Sequence, residues 1–292
     1  MTRHPANGVS AAALTRFCPG FVAVGPPVET GTSRLQHGTI GERPVIMKHP
    51  TDPRPWWQDR CRQEITVYRT LAGHRPPVQV PELVAADTDA PLLIVTRLPG
   101  TPLHPDRYPA AGAIPAALVT RLLSTLDRLH QWQQGGRRGL FPDDSDYQAQ
   151  VNALPDDLLT ADIKDQLTAL FDRAGIVRQL SHGDAHFGNA LDTATGTALL
   201  DFELTAVRPR GYDEAKLFTF LADNPTARHP AAVRGGRDAQ AGFWLAVVLV
   251  TCREIISHRR HPDLPDRDRR LTHLHTDLIL AVGRCQALND TF

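Results

Sequence analysis

"SHGDAHFGNAL", residues 181–191, is followed at 197–203 by "TALLDFE", so a His-Gly-Asp triplet, an asparagine and a further aspartate stand close together. Gly183 and Gly188 punctuate the first stretch, which puts Asp184 and Asn189 on a loop. The apolar run "TALLDF" reads as a strand that Asp201 closes. Asn189 and Asp201 offer side-chain oxygens of the kind that hold a hard cation such as Mg²⁺, which takes few protein ligands and shares phosphate oxygens. Asp184 is left to hold a substrate hydroxyl. An isolated Asp-x-x-x-x-Asn is more often a turn closed by side chain to backbone hydrogen bonds. Asp201, His182 and Gly183 beside it favour a site.

Working outward, the N-terminal half reads as short strands between turns. From Val28 to Met47 come "VET", "GTSR", "RLQHGTI", a "GERP" turn and "VIMK", which ends on Lys48. "WQDRCRQEITVYRTLAG" (57–73) predicts a helix with Cys61, Ile65, Tyr68 and Ala72 on one stripe, Glu64 beside it and a stop at Gly73. "PPVQVPELVAAD" and "APLLIVTRLPG" predict two more strands, the second ending at Pro99. Beyond residue 98 the pattern turns helical, at 116–133, 156–175, 212–223, 241–260 and 268–285. "GGRRGLFPDDSD" (135–146) and "NPTARHPAAVRGGRD" (224–238) read as loops.

Composition narrows the classes. The 292 residues can bury a sizeable core, and 32 basic residues balance 32 acidic ones, so no overall field draws the chain to nucleic acid or an anionic membrane. Four cysteines without CxxC spacing suggest neither zinc nor a disulfide framework, and a reduced, cytoplasmic setting is expected. "AAAL" at 11–14 is too short for the apolar core of a signal peptide. "AGFWLAVVLVTC" at 241–252 falls short of the ~20 residues of a membrane span and reads as a buried core helix.

Lys48 on a strand and Glu64 on the next helix match the pair that protein kinases use on nucleotide phosphates. The H-R-D-x-x-x-x-N spacing of the kinase catalytic loop recurs in His182, Asp184 and Asn189, with Gly183 in place of arginine. "HGDAHFGN" followed by "LLDFE" resembles the aminoglycoside phosphotransferase and choline kinase family, over most of the chain from about Val28 to beyond Asp213. The resemblance implies an α+β, two-lobed, protein-kinase-like fold. A small antiparallel β-sheet lobe with one helix (1–98) would end at the hinge, and a larger, mainly α-helical lobe (99–292) would carry the catalytic loop and substrate site. It implies ATP and Mg²⁺ as cofactors and phosphate transfer to a hydroxyl of a small molecule, an antibiotic such as an aminoglycoside or a hydroxylated metabolite. Asp184 would be the base, Asn189 and Asp201 the metal ligands, Lys48 the contact to the α/β-phosphates and Glu64 its support. Main-chain groups near Thr96 and Leu98, in "LLIVTRL", would bond the adenine edge. Glu203 is a candidate further metal ligand, His182 a brace for the loop, and His186 a packing residue. Asp213 reads as a helix N-cap, and the resemblance suggests that it also buttresses the catalytic loop.

Two departures stand out. The phosphate-covering loop should be glycine-rich, yet "ETGTSRLQHG" offers only Gly31 with small Thr32 and Ser33. Neither a D-F-G glycine nor an A-P-E element follows Asp201, and Gly183 cannot meet a phosphorylated activation loop, so a small-molecule enzyme is favoured over a protein kinase. A protein-kinase-like regulator and a catalytically silent nucleotide-binding module are the alternatives. From Leu204 to Phe292 there are 13 Arg and Lys against 10 Asp and Glu, which argues against a strongly cationic acceptor unless carboxylates gather locally, for instance around "DLPDRD". Neither nucleic acid nor membrane is expected as a partner, and the chain is expected to act as a monomer or homodimer.

Overall fold

The strand signals ahead of residue 98 assemble into an antiparallel sheet. A computed structural model of the protein describes residues 17–133, 138–232 and 236–291. The "AAAL" segment and parts of the two loop-like tracts, at 135–137 and 233–235, lie outside the described residues. Strands β1 (Phe21–Ala23), β2 (Val28–Glu29), β3 (Ser33–Ile40), β4 (Arg43–Pro50), β5 (Leu83–Asp87) and β6 (Leu92–Thr96) follow the spatial order β1-β3-β4-β6-β5, with β2 on β3. Ile40 pairs with Arg43, so β3 and β4 are joined by the two-residue turn Gly41-Glu42, with Gly41 at φ 58°. That geometry suits the twist of a hairpin and calls for glycine.

Alternation along β4 decides where the lysine goes. Val45 and Met47 are buried and cluster with Leu92 and Ile94, whereas Lys48, one residue on, takes the opposite face. Helix α1 (Pro55–Gly73) opens with proline, whose fixed φ suits a first turn, and buries Cys61, Glu64, Ile65, Val67, Tyr68 and Leu71. Ala72 is exposed, contrary to the expected stripe, because the larger Leu71 occupies the inward position of that turn. Glu64 lies within the buried stripe rather than beside it.

The chain then runs through β7 (Thr101–Pro102), α2 (Ala116–Gln133), α3 (Tyr147–Asn152), α4 (Ala161–Ala174), β8 (Arg178–Ser181), β9 (Ala190–Thr193), β10 (Gly196–Leu199) and β11 (Ala206–Pro209). It ends in α5 (Tyr212–Phe220), α6 (Pro225–Ala232), α7 (Arg237–Arg260) and α8 (Arg267–Asn289). β8 pairs with β11, and β9 lies between β7 and β10. The tract at 224–238 contains helix α6 where a loop was expected. Pro225 starts that helix, and Ala227 and Ala231, one turn apart, are buried, so packing overrides the proline and glycine signals. Helix α4 begins at Ala161 with Thr160 as N-cap, and 156–160 form a turn instead of its first residues.

Contacts gather into two compact units. One holds the described residues up to Gly100 together with Leu199–Leu204, and the other holds Thr101–Ala198 with the described residues from Thr205 onward. Helix α7 is long and apolar enough by composition to cross a membrane, but 83% of its most apolar window is buried inside the protein. It is the core helix of the second unit.

Candidate active site

In the first unit, three segments distant in sequence meet at one ammonium group. Lys48 Nζ lies 2.9 Å from Glu64 Oε2, 2.6 Å from Asp201 Oδ1 and 2.9 Å from Glu203 Oε2. Burial alone would favour the neutral amine, but the charges of Asp201, Glu64 and Glu203 outweigh it and hold the Lys48 pKa well above its ordinary value. The Glu64 pKa is raised as well, which for a carboxyl favours the neutral form. Burial, with Asp201 and Glu203 nearby, raises its carboxyl in spite of Lys48.

Leu199–Leu204 is anchored to this unit by the Leu199 amide, which donates to the Gln79 carbonyl at 2.9 Å, and by Phe202 edge-on to Tyr68. Asp201 has φ 62°, a left-handed conformation that non-glycine residues seldom adopt and that gathers at functional sites. Ligand atoms of Glu64, Asp201 and Glu203 all lie within 4.8 Å of one another. This donor set of oxygens alone, three carboxylates against one ammonium, fits a hard divalent cation.

The other nucleotide candidates lie in the same unit. Thr32 and Ser33 stand where the turn after β2 enters β3, and the Thr30 hydroxyl closes that turn by donating to the Ser33 carbonyl and accepting from the Ser33 amide. The Thr32 carbonyl accepts from the Thr51 amide. At the end of β6 the Thr96 amide already donates to the Glu82 carbonyl at 2.9 Å, and its hydroxyl accepts from the Glu82 amide. Leu98 follows the strand.

In the second unit, Asp184 is 6% exposed and densely contacted. The Arg107 guanidinium grips both carboxylate oxygens, Nη1 to Oδ2 at 3.0 Å and Nη2 to Oδ1 at 2.8 Å. Asn189 Nδ2 donates to the Asp184 carbonyl at 3.1 Å and to Asp184 Oδ2 at 3.3 Å. His186 Nε2 is 3.6 Å from Asp184 Oδ2, while its Nδ1 accepts from the Gly188 amide and caps a short turn, so this residue does more than pack. Lys216 Nζ is 3.8 Å from Asp184 Oδ1. Burial would raise the Asp184 pKa, but Arg107, His186 and Lys216 together hold it well below the carboxylate range.

The loop before Asp184 is fixed by α5. Asp213, fully buried, accepts from the His182 amide and the Gly183 amide, each at 2.8 Å, and lies 2.9 Å from His130 Nε2. Asp213 sits inside the first turn of the helix. Gly211 is the N-cap residue, at φ 96°, where an added Cβ would come within 2.7 Å of the Phe243 Cα. Gly183 has φ 86°, so the glycine that replaces arginine in the triplet meets a backbone requirement. His182 is buried, and its carbonyl accepts from the Thr205 hydroxyl.

Sequence reasoning missed Arg107, Lys216 and Glu254. Glu254 Oε1 is 3.2 Å from Lys216 Nζ and 3.7 Å from Arg107 Nη2, and its Oε2 accepts from the Tyr108 hydroxyl at 2.7 Å. Glu254, next to Arg253 just past the apolar run 241–252, is a legible signal of a charge carried on a core helix and in need of partners. Arg107, in a proline-flanked loop, carries no such mark.

A model of the phosphotransferase enzyme family matches residues 27–246. A comparison with curated protein sequences returns no match. Among solved structures, the chain is similar to the GDP and kanamycin complex of APH(2")-IIia, at 15% identity and TM-score 0.58, over 91% of this chain and 97% of that one. A choline/ethanolamine kinase family protein from Mesorhizobium loti matches at 13% identity and TM-score 0.60, over 92% of this chain and 94% of that one. A thermostable mutant of APH(4)-Ia in complex with ADP and hygromycin B matches at 15% identity and TM-score 0.57, over 97% and 99%. At these identities the likeness is one of fold: an antiparallel sheet with one helix, then a mainly helical part.

Proposed function

Because the chain belongs to the phosphotransferase enzyme family, we propose that it moves the γ-phosphate of ATP to a hydroxyl of a small molecule, an antibiotic or a hydroxylated metabolite. The observation that carries this reading is the meeting of Lys48 with Glu64, Asp201 and Glu203. A strand lysine steadied by a helix glutamate is the kinase device for contacting nucleotide phosphates. Asp201 and Asn189 are the proposed ligands of Mg²⁺, with Glu203 beside them. When bound, the cation offsets charge on the phosphate oxygens.

The chain's own residues do the rest. Lys48 holds the α/β-phosphates, Thr32 and Ser33 border them, and the adenine edge is read by main-chain groups at Leu98 and the carbonyl of Thr96. Asp184 orients the acceptor hydroxyl. The acceptor oxygen forms a new bond to the γ-phosphorus as the bond to the bridging oxygen breaks. ADP departs, and the hydroxyl proton ends on Asp184. A carboxylate with a depressed pKa is a weak base, which suits orientation with late proton acceptance, and catalysis then rests on alignment and electrostatics. The four cysteines are free thiols, which supports a reduced, cytoplasmic setting, and the enzyme acts as a monomer or homodimer.

Magnesium-dependent ATP consumption across a panel of hydroxylated antibiotics and metabolites tests this reading. Asp184→Ala is expected to bind nucleotide as the wild type does and to lose turnover by roughly 10²- to 10⁴-fold. Equal turnover in the two proteins would eliminate the proposal, and nucleotide binding without transfer to any acceptor would indicate a binding module.

A further inference from the structure

Resting on the phosphotransferase reading, we infer that the acceptor carries an anionic group, a carboxylate or a phosphate, close to its reacting hydroxyl, and that Arg107 is the residue that selects it. The argument is one of occupied oxygens. Both oxygens of Asp184 are held by the Arg107 fork. Of the Glu254 oxygens, one accepts from Tyr108 and the other faces Lys216. A cationic acceptor would meet two carboxylates whose oxygens already face protein donors, beside two cations of its own sign.

An acceptor hydroxyl that reaches Asp184 enters beside the Arg107 fork, which donates to both carboxylate oxygens and competes with it for them. The guanidinium cannot lose its charge, and it presents paired donors that match carboxylate and phosphate geometry. An anion on the acceptor takes over that fork as Asp184 takes the hydroxyl, so a single exchange satisfies both groups. The side chain is placed for it. Arg107 is 37% exposed and lies over the Phe220 ring at 4.5 Å, whereas Lys216 and Glu254 are buried and fixed beside it. In the acidic tract "DLPDRD", two of the three carboxylates already face cations where α8 begins, Asp266 with Arg269 and Asp268 with Arg267.

The test uses full-length wild type, R107A and R107K with Mg²⁺ and ATP. Acceptors are glycerate and glucose 6-phosphate as anions, glycerol and glucose as neutral compounds, and kanamycin and choline as cations, with nucleotide binding to the wild type measured in parallel. Product is expected from one or both anions. Glycerate alone would assign a carboxylate, and glucose 6-phosphate alone a phosphate. R107A should raise the KM for that anion roughly tenfold to a hundredfold, the loss expected of one charge-assisted hydrogen bond, with partial recovery in R107K. Preference for a neutral or cationic acceptor would overturn the inference and leave the phosphotransferase reading standing. So would a KM rise that falls on ATP instead, or the absence of product from every anion while nucleotide binds. Failure of the wild type to bind nucleotide would remove both.

Discussion

Lys48 holds together a group that its own charge does not neutralise. Its single positive charge faces Glu64, Asp201 and Glu203 at 2.6–2.9 Å, and Glu64 is almost wholly buried. Removing one partner of a buried ion group leaves the others uncompensated, at a cost of about 3–5 kcal/mol. Lys48→Met is therefore expected to lose about 3 kcal/mol in urea unfolding, and millimolar Mg²⁺ should restore part of it, because a cation can take the ammonium's place among the oxygens. A Lys48→Met protein as stable as wild type, or one indifferent to Mg²⁺, would count against the three carboxylates as a cation site. At this scale the sequence was readable where spacing carries chemistry: Lys48, Glu64, Asp201, Asp184 and Asn189 all stand out by motif. Arg107 was not readable, because its role comes from a loop meeting Asp184 across 77 positions, and no local pattern encodes such a meeting.

Helix α5 braces the loop that carries Asp184. Its first turn presents Asp213 to two main-chain amides of the His182–Gly183 step, and α2 supplies His130 to the same carboxylate. Burial would lower the His130 pKa, but the Asp213 hydrogen bond and the charges of Glu214, Asp213 and Asp127 outweigh it, and the imidazolium is held above its ordinary 6.5. A raised folded-state pKa gives stabilisation that is complete below the unfolded value, about 6.5, and is lost as pH rises through the folded one. Asp213 has the opposite sense. Burial opposes ionisation, yet His130 and the loop amides depress its pKa, so its contribution is present above about 3.8 and fades on acidification. The stability difference between wild type and His130→Phe should thus be largest near pH 5–6 and shrink toward pH 9, as followed by urea unfolding at each pH. A difference that is flat or grows over that range would contradict the pairing. Element boundaries show the limit of local reading. Helix α2 falls at 116–133 as its apolar period predicts, whereas α6 hides in a segment of proline and glycine whose helicity depends on burying Ala227 and Ala231.

Over the whole molecule, the sequence disclosed the switch from strands to helices near residue 98 but not the return of Leu199–Leu204 to the first unit. That return brings Asp201 to Lys48, and it follows from packing by Phe202 and a main-chain bond to Gln79, neither of which is a local signal. Neutral overall charge and the buried α7 are legible in composition and apolar run length, and they leave function to be argued from side chains. Those side chains point to transfer of phosphate to an alcohol. The most direct measurement is ³¹P NMR of wild type incubated with ATP, Mg²⁺ and the acceptor panel. The account predicts a new phosphomonoester resonance that grows in step with ADP and is abolished in Asp184→Asn. ATP giving only inorganic phosphate, or an ester formed equally well by Asp184→Asn, would contradict it.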